Sequence, residues 1–200
     1  DVGLVSDRDW SAAKWIGGER HRLIRVTIPA KGGQVTRARV HVSAPGCVIV
    51  SVNGKKHSQS SSGICPWTSF NKTIYYSSLD VLELFNSEGD ANVIGFMLGH
   101  GMYTRQAGGT PMMRVKIVLD FQDESLGRYT CVSGHDQILR MDEGEHECLW
   151  YGVEGPYVAD DPFAGATIDW NKLPHDWDRL SFNPTSAGWS LVPVISPFPH

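Results

Sequence analysis

Val35–Ser43 reads V-T-R-A-R-V-H-V-S, and Cys47–Val52 reads C-V-I-V-S-V with Asn53-Gly54 directly behind it. The first stretch has a nearly strict period of two, which places Ala38, Val40 and Val42 on one face of a strand. Pro45-Gly46 breaks it. The second is a continuous apolar run, suited to a strand buried on both sides. Asn53 and Gly54 both tolerate positive φ, so the pair predicts a two-residue type I′ hairpin turn.

Outward from this core the same signals repeat. Residues 22–28 alternate around Leu23, Arg25 and Thr27 and stop at Pro29, and Gly32-Gly33 is a turn. Residues 73–77 are rich in β-formers, and the leucines of 78–85 predict one or two helical turns. Residues 91–98 read as a buried strand ended by Gly99-His100-Gly101. Residues 113–121 alternate as a half-exposed strand, 123–127 turn the chain and 128–132 return it. From Gly152 on, Asp, Pro and Trp are frequent and periodicity fades, which predicts long loops with two or three short strands crossing a sandwich. Crossover helices of ten or more residues are missing, which argues against a parallel α/β fold. The expectation is an all-β chain: an antiparallel β-sandwich, a jelly roll, with one or two short helical turns. Its organisation reads as an opening segment over 1–20, a single β-sandwich domain over 21–194 and a C-terminal tail over 195–200.

The chain has 200 residues, 18 Lys+Arg and 22 Asp+Glu, a formal charge of −4. That balance lacks the basic footprint of non-specific nucleic-acid binding. The apolar runs are far shorter than the ~20 residues that span a bilayer, so neither nucleic acid nor membrane is an expected partner. Four cysteines, Cys47, Cys65, Cys131 and Cys148, are widely spaced without a C-x-x-C, against a zinc ribbon or a thioredoxin-like site. Their even number permits disulfides, but nothing selects a pairing, and free buried thiols stay open. The chain opens Asp1-Val2-Gly3, with neither a start methionine nor a visible signal peptide. Asn71-Lys72-Thr73 accepts a glycan if the chain is exported, which tilts the expectation towards secretion.

Catalytic motifs are wanting. Glycoside hydrolysis needs two carboxylates facing each other across a bond. Neither Asp160, Asp161, Asp169, Asp176 and Asp178 nor the acidic run of 141–147 sits in a motif that sets such a pair. That run reads as a solvated hairpin tip. There is no G-x-S-x-G elbow, H-x-H or HExxH. His100, between two glycines after a buried strand, can present its imidazole at a strand end. Asp160-Asp161-Pro162 can supply oxygen ligands to calcium, although the spaced ladder of a calcium loop is absent and an ordinary turn reads as well. The many aromatic residues can stack on the C–H faces of a sugar ring, though most must serve the core.

Several phrases, in order along the chain, resemble the N-terminal β-sandwich module of α-L-rhamnosidases. They are Gly3-Leu4 with Asp9-Trp10-Ser11-Ala12-Ala13-Lys14-Trp15-Ile16-Gly17; Arg37-Ala38-Arg39-Val40 with Val42-Ser43-Ala44; Val52-Asn53-Gly54-Lys55; Pro66-Trp67-Thr68 with Tyr75-Tyr76; Asn92-Val93-Ile94-Gly95; Leu98-Gly99-His100-Gly101-Met102-Tyr103; and Gly188-Trp189. Residues 165–169 also resemble a G-E-x-Y-D phrase of that family, and the resemblance departs there at Ala166 (acidic in the phrase) and Ile168 (tyrosine), at Met102 (tryptophan in its phrase), and at Trp67, which follows Pro66 without a glycine.

The resemblance implies a module that precedes an (α/α)6 catalytic barrel absent from this chain. It implies a non-catalytic accessory role, binding an L-rhamnose-type sugar or supporting the barrel. The alternative is a purely structural interdomain module with no ligand of its own. The implied partners are a rhamnose-containing glycan and the catalytic domain of the parent chain, and calcium is an admissible cofactor. The candidate sugar contacts are Trp67, His100, Tyr103 and Asp169, and the candidate calcium ligands are Asp160 and Asp161. This chain alone is expected to hydrolyse no rhamnoside.

Overall fold

A computed structural model describes residues 5–86, 88–134, 139–141, 144–146 and 148–196. Two antiparallel sheets pack face to face. The first joins β3 (Val35–Ser43), β6 (Tyr76–Asp80) and β8 (Met112–Phe121), with β1 (Ile16–Gly17) and β9 (Tyr129–Val132) both pairing along the free side of β8. The second runs β15 (Ser190–Leu191), β12 (Trp150–Val153), β2 (Leu23–Ile28), β7 (Asn92–Gly99), β4 (Cys47–Val52) and β5 (Lys55–Lys56). Two separate hairpins, β10 (Leu139–Met141) with β11 (Gly144–His146) and β13 (Tyr157–Asp161) with β14 (Gly165–Ile168), lie outside the sheets. The acidic run thus falls partly on the first of these hairpins, and Asp142, Glu143 and Glu147 lie outside the described residues.

Alternation builds the core. Ala38, Val40 and Val42 face inward from β3 and meet Ile24, Val26, Val48, Val50, Ile94, Phe96 and Leu98 from the opposite sheet. Each fully buried aliphatic side chain contributes roughly 1.5–3 kcal/mol of apolar burial. The hairpin after β4 pairs Val52 with Lys55. Asn53 (φ 51°) and Gly54 (φ 82°) both stand in the left-handed region that a type I′ turn requires.

Three local readings shift. The 78–85 stretch begins as the end of β6, and only Leu82–Leu84 forms a 3-10 turn, because Leu79 is drawn into the sandwich core. A helix that the alternation did not announce, α2 (Gly101–Ala107), follows β7; a shorter one, α1 (Asp7–Trp10), lies near the start. The strand read as half-exposed, β8, is mostly buried. On its outer side Arg114 donates to the Ala13 carbonyl at 3.0 Å, and Trp10, Ala13 and Val132 cluster.

The outer face of the six-stranded sheet is covered too. Leu23 packs with Trp177 and Trp189, whose rings stack at 6.1 Å. Arg25, buried on that face, donates to the carbonyls of Trp177 (2.9 Å) and Phe182 (3.0 Å). All four cysteines pair, Cys47 with Cys65 and Cys131 with Cys148. The second bridge joins β9 of one sheet to the residue leading into β12 of the other. No helix of the described residues is long and apolar enough to cross a membrane.

Candidate functional site

The C-terminal cover of the outer sheet is incomplete, and the gap makes a cleft. Cys47 and Ile49 of β4 remain half-buried where the apolar run predicted burial on both sides. They form, with Met97 of β7, the floor of a cleft of about 390 Å³. The β13–β14 hairpin supplies its far wall with Tyr157, Asp160 and Pro162. A smaller hollow of about 220 Å³ shares Ile49, Met97 and Tyr157 and runs on to Trp170 and Trp177.

The wall is fastened by a chain of charged groups. The β7–α2 junction is Gly99-His100-Gly101. A side chain at Gly99 would meet the Asp160 carboxylate at 2.9 Å, and Gly101 has φ +55°. Both glycines let His100 sit against the hairpin. Asp160 accepts from the His100 backbone N–H at 2.7 Å, and its other oxygen contacts His100 Nδ1. His100 Nε2 lies 2.8 Å from Glu19 Oε1. Arg22 Nη2 stands 2.8 Å from Asp160 Oδ1 as a close ion pair not aligned as a hydrogen bond. Its Nε donates to the Leu98 carbonyl at 3.2 Å, and its guanidinium lies over the Tyr157 ring at 5.0 Å. Burial, followed by the Asp160 charge, pushes the Tyr157 phenol above its usual pKa.

Asp160 and Asp161 are a poor fit to calcium, because their oxygens are already engaged within the protein. Asp161 borders the cleft beside Asp160, but its carboxylate accepts from the backbone N–H of Phe163 (2.8 Å) and Ala164 (2.9 Å), and from Arg105 Nε (2.7 Å). Those backbone N–H groups, with Arg105, hold its pKa below the ordinary carboxylate range. Oxygens committed to arginines and amides are a poor donor set for a hard cation. Among the described residues no group of three or more His, Cys, Asp or Glu could hold a metal ion.

Of the six sequence candidates, the fold gathers His100, Asp160 and Asp161. Tyr103 is buried, edge-on to Phe70 at 5.3 Å and beside Met112. Asp169 accepts from the Asn171 N–H at 3.0 Å and caps a turn. Trp67 is 65% exposed on a loop apart from the cleft lining. Sequence reasoning missed Glu19 and Arg22. Arg22 precedes an apolar strand as an ordinary surface cation would, and no local signal reports that a hairpin far along the chain will bury it.

The sequence profile described as Alpha-L-rhamnosidase N-terminal domain matches residues 33–199. The chain belongs to this family. The resemblance read from the motifs is thereby borne out. No curated protein matches the chain. Among solved structures, the chain is similar to the α-L-rhamnosidase from Dictyoglumus thermophilum, with TM-score 0.77 and 20% identity over 98% of this chain and 22% of that one. It is similar to the native enzyme from Aspergillus terreus, with TM-score 0.71 and 21% identity over 98% and 22%. The lectin from Pleurotus ostreatus in complex with GalNAc matches at TM-score 0.51 and 14% identity, over 93% of this chain and 42% of the lectin. At these identities the likeness shows the antiparallel sandwich fold. This rhamnosidase N-terminal domain spans about a fifth of the length of the rhamnosidases it matches.

Proposed function

We propose that this domain is a non-catalytic accessory module of an α-L-rhamnosidase, and that the cleft between the outer sheet and the β13–β14 hairpin takes an L-rhamnose-type sugar. The observation that carries the reading is the cleft's composition. Ile49 and Met97 make an apolar floor, and Tyr157 and Asp160 make a polar wall. A 6-deoxy sugar has a methyl group to set on such a floor and hydroxyls to donate to such a wall. Tyr157 and Trp170 offer flat faces for stacking. Hydrolysis is a poor fit: the imidazole of His100 fills the space between Glu19 and Asp160, where a glycosidase would hold the scissile bond. An open site with stacking of this kind and a few hydrogen bonds implies Kd on the order of 0.1–10 mM. The names of the similar rhamnosidases support rhamnose glycosides and a catalytic domain of the parent chain as partners.

A titration of the 200-residue chain with L-rhamnose by nuclear magnetic resonance, with and without calcium, tests this. Ile49, Met97, Gly99 and Tyr157 are expected to shift in both series. If no resonance at the cleft moves at about tens of millimolar sugar, the sugar reading fails. The second reading is then favoured by Phe163 and Trp170, which are 71% and 68% exposed. They would be apolar contacts for the catalytic domain, and the chain would be an interdomain support.

A further inference from the structure

We propose that Asn71 is an N-glycosylation site and that the domain matures in the secretory pathway of a eukaryotic cell. Asn71-Lys72-Thr73 is an acceptor triplet, and the fold presents it well. Phe70, buried against Tyr103 and Met112, anchors the loop from below. The N–H groups of Lys72 (2.7 Å) and Thr73 (3.0 Å) both donate to the Ser69 carbonyl, and Thr68 Oγ1 donates to the Thr73 carbonyl at 2.6 Å. The resulting turn exposes Asn71, Lys72 and Thr73 together, and the Asn71 amide makes no hydrogen bond with any described residue. An attached glycan therefore displaces no native contact.

The disulfides supply an independent line. All four cysteines of the sequence are used in two bridges. Such pairing belongs to oxidising compartments and is rare in the cytosol, and the endoplasmic reticulum is the oxidising compartment in which such triplets are modified. The remaining N-x-[ST] triplet, Asn183-Pro184-Thr185, has proline in the middle and is not an acceptor. One glycan per chain follows.

The transfer forms a bond from Asn71 Nδ2 to C1 of the first sugar. It breaks the bond from C1 to a lipid diphosphate, which leaves, and the amide proton passes to base. A glycan at this position keeps the loop bearing Trp67 and Tyr75 in solvent, so the proposal also places the parent chain's neighbouring domain on another face.

The test is expression of the chain with a secretion leader in a eukaryotic host, followed by intact mass, peptide mapping and thiol counting on the secreted and the membrane-enclosed protein. The expected result is one glycan, removed by peptide N-glycosidase with conversion of Asn71 to aspartate, and no free thiol. Thr73→Ser keeps the glycan, whereas Asn71→Gln and Thr73→Ala lose it with an unchanged thermal transition. A bare polypeptide mass in both fractions, a glycan that survives Asn71→Gln, or four free thiols in the folded chain each overturn the proposal.

Discussion

Arg22 Nη2 and Asp160 Oδ1 stand 2.8 Å apart, with side chains only 4% and 13% exposed. This pair ties the start of β2, inside the main sheet, to a hairpin contributed by the last quarter of the chain. It is one of the contacts, with those of His100 to Asp160 and Arg105 to Asp161, that hold the far wall of the cleft.

Asp160→Asn is expected to destabilise the domain by roughly 3 kcal/mol, because Arg22 would be left buried without its counter-charge. For a chain of this size that is a fall in Tm of roughly 6–12 °C. Calorimetry reads it directly. Arg22→Met combined with Asp160→Asn should recover part of the loss, since an uncompensated charge costs more than a missing pair.

Gly95→Ala tests the aromatic cover. A methyl group at Gly95 would lie 2.5 Å from the Trp177 ring and 2.7 Å from Ser51 Oγ. Overpacking of this kind costs about 1–3 kcal/mol. Trp177 should lift from the sheet, seen as a red shift in tryptophan fluorescence while the far-ultraviolet spectrum stays β-like.

His41 sets an acid limit. Burial first, and then the charges of Lys116, Arg39 and Arg37, push its pKa down to about 4 from 6.5, and its Nδ1 pairs with Ser78 Oγ at 2.7 Å. The unfolded chain therefore takes up this proton at higher pH than the folded one. Stability is unaffected above about pH 6.5 and declines as pH falls towards 4. The decline reaches about 3 kcal/mol. Denaturation midpoints measured from pH 7 to 4 should fall less steeply in His41→Gln than in the parent.

The cross-links should matter unequally to position and alike to stability. The bridged cysteines lie 18 and 17 residues apart, and closing loops of that size contributes about 3 kcal/mol each in the chain-entropy account. Cys47→Ser with Cys65→Ser should lower Tm and loosen the cleft floor. Cys131→Ser with Cys148→Ser should lower it comparably while leaving the cleft resonances in place.

The sandwich was legible because its cause is local. The alternation of Val35–Ser43, the apolar run of Cys47–Val52 and the positive-φ pair Asn53-Gly54 act within a few residues, and Ala38, Val40, Val42, Val48, Val50 and Val52 enter the core as they predict, while Cys47 and Ile49 stay half-buried on the other face. The site was legible only in part. His100 could be singled out by its flanking glycines, and Asp160 by its place in an irregular, acid-rich stretch. Tyr103 and Trp67 could not be sorted from each other, since an aromatic side chain in a loop reads the same whether Phe70 will cover it or solvent will.

The amino-acid order by itself determined the main strands, the hairpin turn, the net negative charge and the family. Only the tertiary structure decided the cysteine partners, the burial of Arg22 and Arg25, and the face on which a cleft stays open. The physical reason is that the cysteine partners depend on which strands pack together, and the rest on how the residues after Gly152 return over a sheet made of residues 23–99. Each contact there joins segments far apart in sequence. Hydrophobic period and turn chemistry describe what a segment presents, and say nothing of what will be laid against it.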